Sequence, residues 1–208
     1  MPPYKRFHDL LLKLGVRAYP DALFRKAESE KVLYLTFDDG PTPEVTSFVL
    51  ETLQQFGAKA CFFLIGRNAI KNPEIVNRIT ALGHSIGAHS MDHENGWKTN
   101  ENDYLISVRE SASLLKTSLF RPPYGRLKRG AYRQLKEIGI NTVFWDVLSY
   151  DFDTRLSAED CINLTEKEVS PGSIVVFHDS RKAFPRLEKA LPTLIQRWKE
   201  QGYSFRAL

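Results

Sequence analysis

This chain predicts an α/β protein on a parallel sheet, because seven short apolar runs alternate with six amphipathic stretches from residue 32 onward. Two further features agree. The short runs are rich in β-branched and aromatic residues and are bounded by turn residues. The longer stretches carry apolar residues at helical spacing and mostly stop at glycine. The pattern fits either an open doubly wound sheet or a closed barrel. Both gather their chemistry beyond the C-terminal ends of the strands.

The first strand is 32–37, a nearly unbroken apolar run that ends in Asp38-Asp39-Gly40-Pro41. A helix follows at 43–56, with Thr42 as N-cap, Pro43 at the first helical position and Gly57 as stop. Its apolar residues are Val45, Phe48, Val49, Leu53 and Phe56. The second strand is 60–65. A second helix opens at Asn72-Pro73, uses Ile75, Val76, Ile79 and Leu82, and stops at Gly83. The third strand is 84–88, and a polar loop runs from His89 to Asn100. A third helix at 101–116 leads to a short strand around Leu119-Phe120-Arg121, then a helix at 129–138 and a strand at 141–147. Ser157-Ala158-Glu159-Asp160 is a capping box with Asp in place of the usual Glu, and it opens a fifth helix. Pro171-Gly172 turns into a strand at 173–178. A sixth helix at 186–200 aligns Leu187, Leu191, Leu194, Ile195 and Trp198, and a last strand follows at 203–207. Residues 1–30 read as an N-terminal extension and 31–208 as one domain.

With 42% hydrophobic and 26% charged residues, this is the composition of an ordinary globular domain. The net charge is +4, but the basic residues are scattered apart from Arg126, Lys128 and Arg129. No basic stripe or recognisable module points to nucleic acid. Cys61 and Cys161 lie far apart and read as buried free thiols. The stretch at 7–14 is too short and too polar for an export signal, and no segment is long enough to span a membrane. A cytoplasmic location is therefore expected. The sequence does not reveal the oligomeric state.

Five polar groups fall at the same predicted rim. Asp38 and Asp39 follow the first strand, His89 to His93 the third, Arg121 to Gly125 the fourth, Asp146 and Asp151 the fifth, and His178-Asp179 the sixth. Taken alone, Asp38-Asp39 is a solvated pair, and His178 is a satisfied core histidine. Taken together, two histidines and a carboxylate make a three-ligand site with open positions, which suits catalytic zinc. Asp39 can supply the carboxylate, which frees Asp38 as general base with Arg121 holding its charge. His178 can protonate a leaving group, its pKa raised by Asp151. Asp92 and Asp179 are spare acids with structural or solvated roles, and His84 and His8 are not ligands.

The ordered set Thr36-Phe37-Asp38-Asp39-Gly40, His89-Ser90-x-x-His93, Arg121-Pro122-Pro123-Tyr124, Asp151-Phe152 and Val176-Phe177-His178 resembles the polysaccharide deacetylase family. This is the NodB-homology domain of carbohydrate esterase family four, and the resemblance covers about residues 31–206. It implies a distorted (β/α) barrel with about seven parallel strands and one divalent metal, usually zinc. It implies Asp39, His89 and His93 as ligands, Asp38 as base, His178 as acid, Arg121 orienting Asp38 and Asp151 tuning His178. It also implies that the Tyr124 backbone N–H stabilises the oxyanion. Tyr124, Pro123, Phe152 and Trp97 are the candidates on the substrate side. The implied reaction removes acetyl groups from N-acetylated sugars, with O-acetylated ones also open, and releases acetate. Phe152 stands where the family usually has Trp, which removes an indole N–H from the sugar-facing wall. Trp97 is either a sugar platform or packing over the rim. The rival readings are a catalytically silent carbohydrate-binding protein on the same fold and a metal-dependent phosphoester hydrolase.

Overall fold

The structure, a computed structural model, describes residues 15–208. The stretch at 7–14, and His8 with it, lies outside the described residues. The strands are β1 (Val32–Asp38), β2 (Ala60–Leu64), β3 (Ser85–Ala88), β4 (Leu119–Phe120), β5 (Asn141–Thr142), β6 (Val147–Leu148), β7 (Ile174–His178) and β8 (Ser204–Phe205). Their order across the sheet is β5-β4-β3-β2-β1-β7-β6, with β8 beside the start of β1, and every pairing is parallel. The helices are α1 (Pro43–Gln55), α2 (Gly66–Lys71), α3 (Pro73–Ala81), α4 (Glu101–Leu114), α5 (Arg129–Glu137), α6 (Ala158–Thr165) and α7 (Phe184–Glu200).

Side chains alternate across each strand, so β1 feeds two cores. Leu33, Leu35 and Phe37 point outward and pack with Val49, Leu53, Leu191 and Trp198 of the flanking helices. Val32 and Tyr34 point inward and pack with Cys61, Phe63, Val143 and Ile174. Burial on both faces explains why β1 reads as a nearly continuous apolar run. Cys61 and Cys161 are buried free thiols. The sheet curls into the expected distorted (β/α) barrel.

The run expected as one strand at 141–147 is two strands. Asn141–Thr142 pairs with β4 at one edge of the sheet, and Val147–Leu148 pairs with β7 at the other. The residues between them bridge the two edges. Asp146 anchors the bridge, accepting the Ile174 N–H at 2.7 Å and the Ser173 hydroxyl at 2.9 Å. This corrects the placement of Asp146 at the rim. It meets β7 at that strand's N-terminal end, opposite His178, and burial raises its pKa.

Other departures are local. Thr42 does not cap α1 with its side chain; its N–H donates instead to Thr46 Oγ1 at 2.7 Å. Helix α2 has no counterpart among the expected elements; at its start the missing Cβ of Gly66 leaves room for Met91. Helix α7 begins two residues earlier than the pattern suggests. The Ser157 capping box is present, with Asp160 returning the bond. Upstream of the barrel, Phe24 stacks on Phe144 at 4.7 Å, and Leu23 bridges to Val143.

Asp146→Ala strands a buried strand amide and loosens the closure. It should cost about 2 kcal/mol in urea unfolding. Asp146→Asn keeps one acceptor oxygen and should cost less than half as much.

Candidate active site

Register places the first two groups. Asp38 at the end of β1 is the direct Cα partner of His178 at the end of β7. Adjacent parallel strands lie about 4.8 Å apart, so both side chains enter the same mouth of the barrel. Arg121, wholly buried, reaches across from the end of β4. Its guanidinium donates to Asp38 Oδ1 at 2.8 Å, Thr36 Oγ1 at 2.7 Å, and the carbonyls of Phe144 at 2.9 Å and Val143 at 3.3 Å. It lies 4.1 Å from the centroid of the Phe63 ring. That ring has room only because residue 87 is glycine; a Cβ there would sit 2.3 Å from the ring.

Asp39, His89 and His93 converge beside this pair. One ligand atom from each lies within 4.8 Å of the others. Asp39 Oδ1 is 3.1 Å from His93 Nε2 and 3.7 Å from His89 Nε2. It is shielded from solvent and accepts no protein hydrogen bond. His89 Nδ1 lies 2.8 Å from the Arg121 carbonyl. A carbonyl only accepts, so Nδ1 carries the proton and the Nε2 lone pair faces Asp39. Burial pushes the His89 pKa down to about 4, which keeps the ring neutral at physiological pH. Burial alone would raise the Asp39 carboxyl, but His93 and the charges of His178 and His89 hold it well below the usual carboxylate range. His93 Nδ1 is hydrogen-bonded to the Tyr124 hydroxyl at 3.1 Å. A shielded, unpartnered oxygen facing two imidazole nitrogens fits a divalent cation.

These groups sit on unusual backbone. Asp39, Ser90, His93, Tyr124 and Tyr150 all have φ between 58° and 81°, the left-handed region that non-glycine residues rarely adopt. In the turn at Pro123–Gly125, the N–H groups of Gly125 and Arg126 bond back to Pro122 and Pro123. The Tyr124 N–H has no acceptor among the described residues.

The profile of the polysaccharide deacetylase family matches residues 25–143. A peptidoglycan-N-acetylglucosamine deacetylase of Bacillus cereus is 36% identical over 186 residues, covering 85% of this chain and 86% of the relative. The chain belongs to the polysaccharide deacetylase family. A chitooligosaccharide deacetylase of Azorhizobium caulinodans is 33% identical over 162 residues, covering 74% of this chain and 77% of its own. The crystal structure of a peptidoglycan N-acetylglucosamine deacetylase superposes with a TM-score of 0.86 at 32% identity, over 93% of this chain and 92% of that one.

In this family member, Asp151 is wholly buried beneath His178. It accepts the His178 backbone N–H at 2.8 Å and pairs with Nδ1 at 2.7 Å. Burial alone would lower the His178 pKa, but the charge and hydrogen bond of Asp151, with Asp39 and Asp38, push it up to about 9. Phe152 sets its ring edge against His178 at 5.1 Å, and Pro123 is buried in the rim turn. Trp97 has an exposed face, while its indole N–H donates to the Leu127 carbonyl at 3.2 Å. Asp92 pairs with Arg67 on the surface. His84 lies away from the cluster, where its Nδ1 accepts the Ala60 N–H at 3.2 Å.

Three supporting residues, Thr36, Asn68 and Arg186, were given no partner by the sequence, and a fourth, Asp179, has the structural role that was one of its two readings. Thr36 links Arg121 to the Val175 carbonyl at 2.9 Å. Asp179, a buried structural acid, accepts the Gly40 N–H at 3.0 Å and the Thr46 hydroxyl at 2.6 Å, which fixes the turn after Asp39. Asn68 of α2 donates to the Asp39 carbonyl at 2.9 Å. Arg186 donates to the Asp151 carbonyl at 2.6 Å. The signal for Arg186 was a cation next to Leu187, at the edge of the buried stripe of a helix.

Asp151→Asn removes the main support for the His178 charge. Its titration midpoint, read from imidazole NMR shifts, should fall from about 9 to below 7. Because the folded pKa exceeds the ordinary 6.5, the pair's contribution to stability is complete below pH 6.5 and is lost as pH rises through 9. The variant should flatten that slope.

Proposed function

We propose that this protein hydrolyses the acetamide of N-acetylated sugars in a glycan chain, releasing acetate, with zinc as its metal. Family membership and the named activities of the relatives support the reaction. The observation that carries it is the pairing of Asp38 and His178 in register beside Asp39, His89 and His93. That arrangement supplies a base, an acid and a ligand set at one mouth.

Asp39, His89 and His93 would hold the metal. When bound, it would polarise the acetyl carbonyl and make water a better nucleophile at neutral pH. Arg121 holds one carboxylate oxygen of Asp38, so the other is left to take the proton from the attacking water. The Tyr124 N–H donates to the oxygen on which negative charge develops. His178, protonated up to about pH 9, delivers a proton to the departing nitrogen. The amine then leaves as a neutral group, and acetate remains. Phe152 and Trp97 offer apolar faces to the sugar, and the relatives' names favour N-acetylglucosamine.

The rival readings lack support. A silent binding protein would need none of these proton-transfer groups. A phosphoester hydrolase with two metals would need a second ligand set, and the described residues show one cluster.

Asp38→Asn should lower acetate release from N-acetylglucosamine oligomers by about 10²–10⁴-fold while zinc content stays near one per chain. Substantial remaining activity would remove Asp38 from the role of base. His89→Ala should lose the zinc itself, read by elemental analysis after gel filtration. Full occupancy in that variant would refute the ligand set.

A further inference from the structure

A line of rings leads outward from the candidate metal centre. His93 meets the Tyr124 ring at 4.6 Å between centroids. The Arg126 guanidinium lies 6.0 Å from the Tyr124 ring and 5.3 Å from that of Trp97. Both aromatic residues are largely exposed, Tyr124 at 61% and Trp97 at 58%. Among the described residues, Arg126 forms no side-chain hydrogen bond and no ion pair. A cation stacked on two exposed rings keeps its in-plane N–H donors free for an anion.

This arrangement is built rather than incidental. Residue 96 has no Cβ, and one placed there would come within 2.3 Å of the Arg126 carbonyl, so the Trp97 loop packs directly on the Arg126 backbone. The Trp97 indole N–H is bonded to the Leu127 carbonyl, and Lys128 Nζ donates to the Thr99 carbonyl at 2.7 Å. The two loops are thus joined at three points. They hold an aromatic face and a guanidinium side by side.

We infer that Arg126, with Trp97, forms a subsite for a carboxylate-bearing sugar that neighbours the sugar losing its acetyl group. The pyranose face stacks on Trp97, and the carboxylate accepts from the Arg126 guanidinium. The net charge of +4 favours such a substrate over a neutral one. The inference rests on the proposed activity for the placement of the subsite beside the reacting sugar. The recognition itself is independent of turnover.

The test is therefore equilibrium binding. Two tetrasaccharides with the same β-1,4 backbone are titrated calorimetrically into the zinc-loaded protein. One is all N-acetylglucosamine, and the other alternates it with N-acetylmuramic acid, which adds a carboxylate. The acidic chain should bind about fivefold more tightly at low salt, and the ratio should fall to about one in Arg126→Gln. Equal affinities for the wild-type protein, or a ratio unchanged in Arg126→Gln, would overturn the subsite. Acetate measured in the same samples reports separately on the deacetylase reading. A binding preference without acetate release would refute that reading and leave the subsite standing.

Discussion

The Arg121 guanidinium inside the barrel is the constraint on which the rest of the site depends. Burying a cation is costly unless it is paired and its donors are satisfied. Here four hydrogen bonds and an aromatic face meet that need. Their acceptors come from the end of β1 and from the residues that bridge β5 and β6. One side chain therefore fixes Asp38 and ties down the segment that closes the barrel. Its backbone carbonyl also sets the tautomer of His89. The orientation of the candidate base and the donor atom of a candidate ligand follow from the position of a single residue.

The ligand loops depend on a second brace. Asp39, Ser90 and His93 hold left-handed backbone conformations that cost energy without glycine. Helix α2 holds them in place. Its first N–H groups, which have no partner within the helix, donate to the Ser90 carbonyl at 2.9 Å and the Met91 carbonyl at 3.0 Å. Asn68, in the same turn, holds the Asp39 carbonyl. The strain in both loops is thus borne by one short helix wedged between them.

This explains what could and could not be read from the sequence. Strand ends were legible, because an apolar run that stops at a charged group marks a rim whatever the packing. The motifs at Asp38, His89, Arg121 and His178 stood out for that reason. Helix α2 was not legible, since six residues that begin with glycine have little helical signal. Its stability comes from carbonyls brought to it by a loop some twenty residues later. Asp146 misled for a related reason. An acid near the end of a β-rich run resembles a rim residue, and only the pairing of the bridging segment with β7 shows that it replaces a rung at the other end. Thr36 lies in an apolar run and Arg186 in a mixed charged stretch beside the buried stripe of α7, and neither pattern names the distant carbonyl that it meets.

The two adjacent carboxylates show why so many charges are buried here. Asp38 and Asp39 are neighbours in sequence, and two like charges that close would ordinarily force one to stay protonated. Each instead has its own positive or polarisable partner. Asp38 ends β1 in extended form and points inward to Arg121. At Asp39 the chain turns, with φ at 81°, and aims the second carboxylate at the two imidazoles. The nearby Asp179 has no such cation, and burial with the charge of Asp39 pushes its pKa up to about 7. The mouth thus holds the Asp39 carboxyl well below the usual carboxylate range and, close by, the Asp179 carboxyl well above it. Apolar residues in place of Arg121, Asp38 and Asp151 would avoid the cost of burying their charges. Their pairing puts adjacent groups in opposite settings: Asp38 against the Arg121 guanidinium, and His178 against the Asp151 carboxylate that raises its pKa.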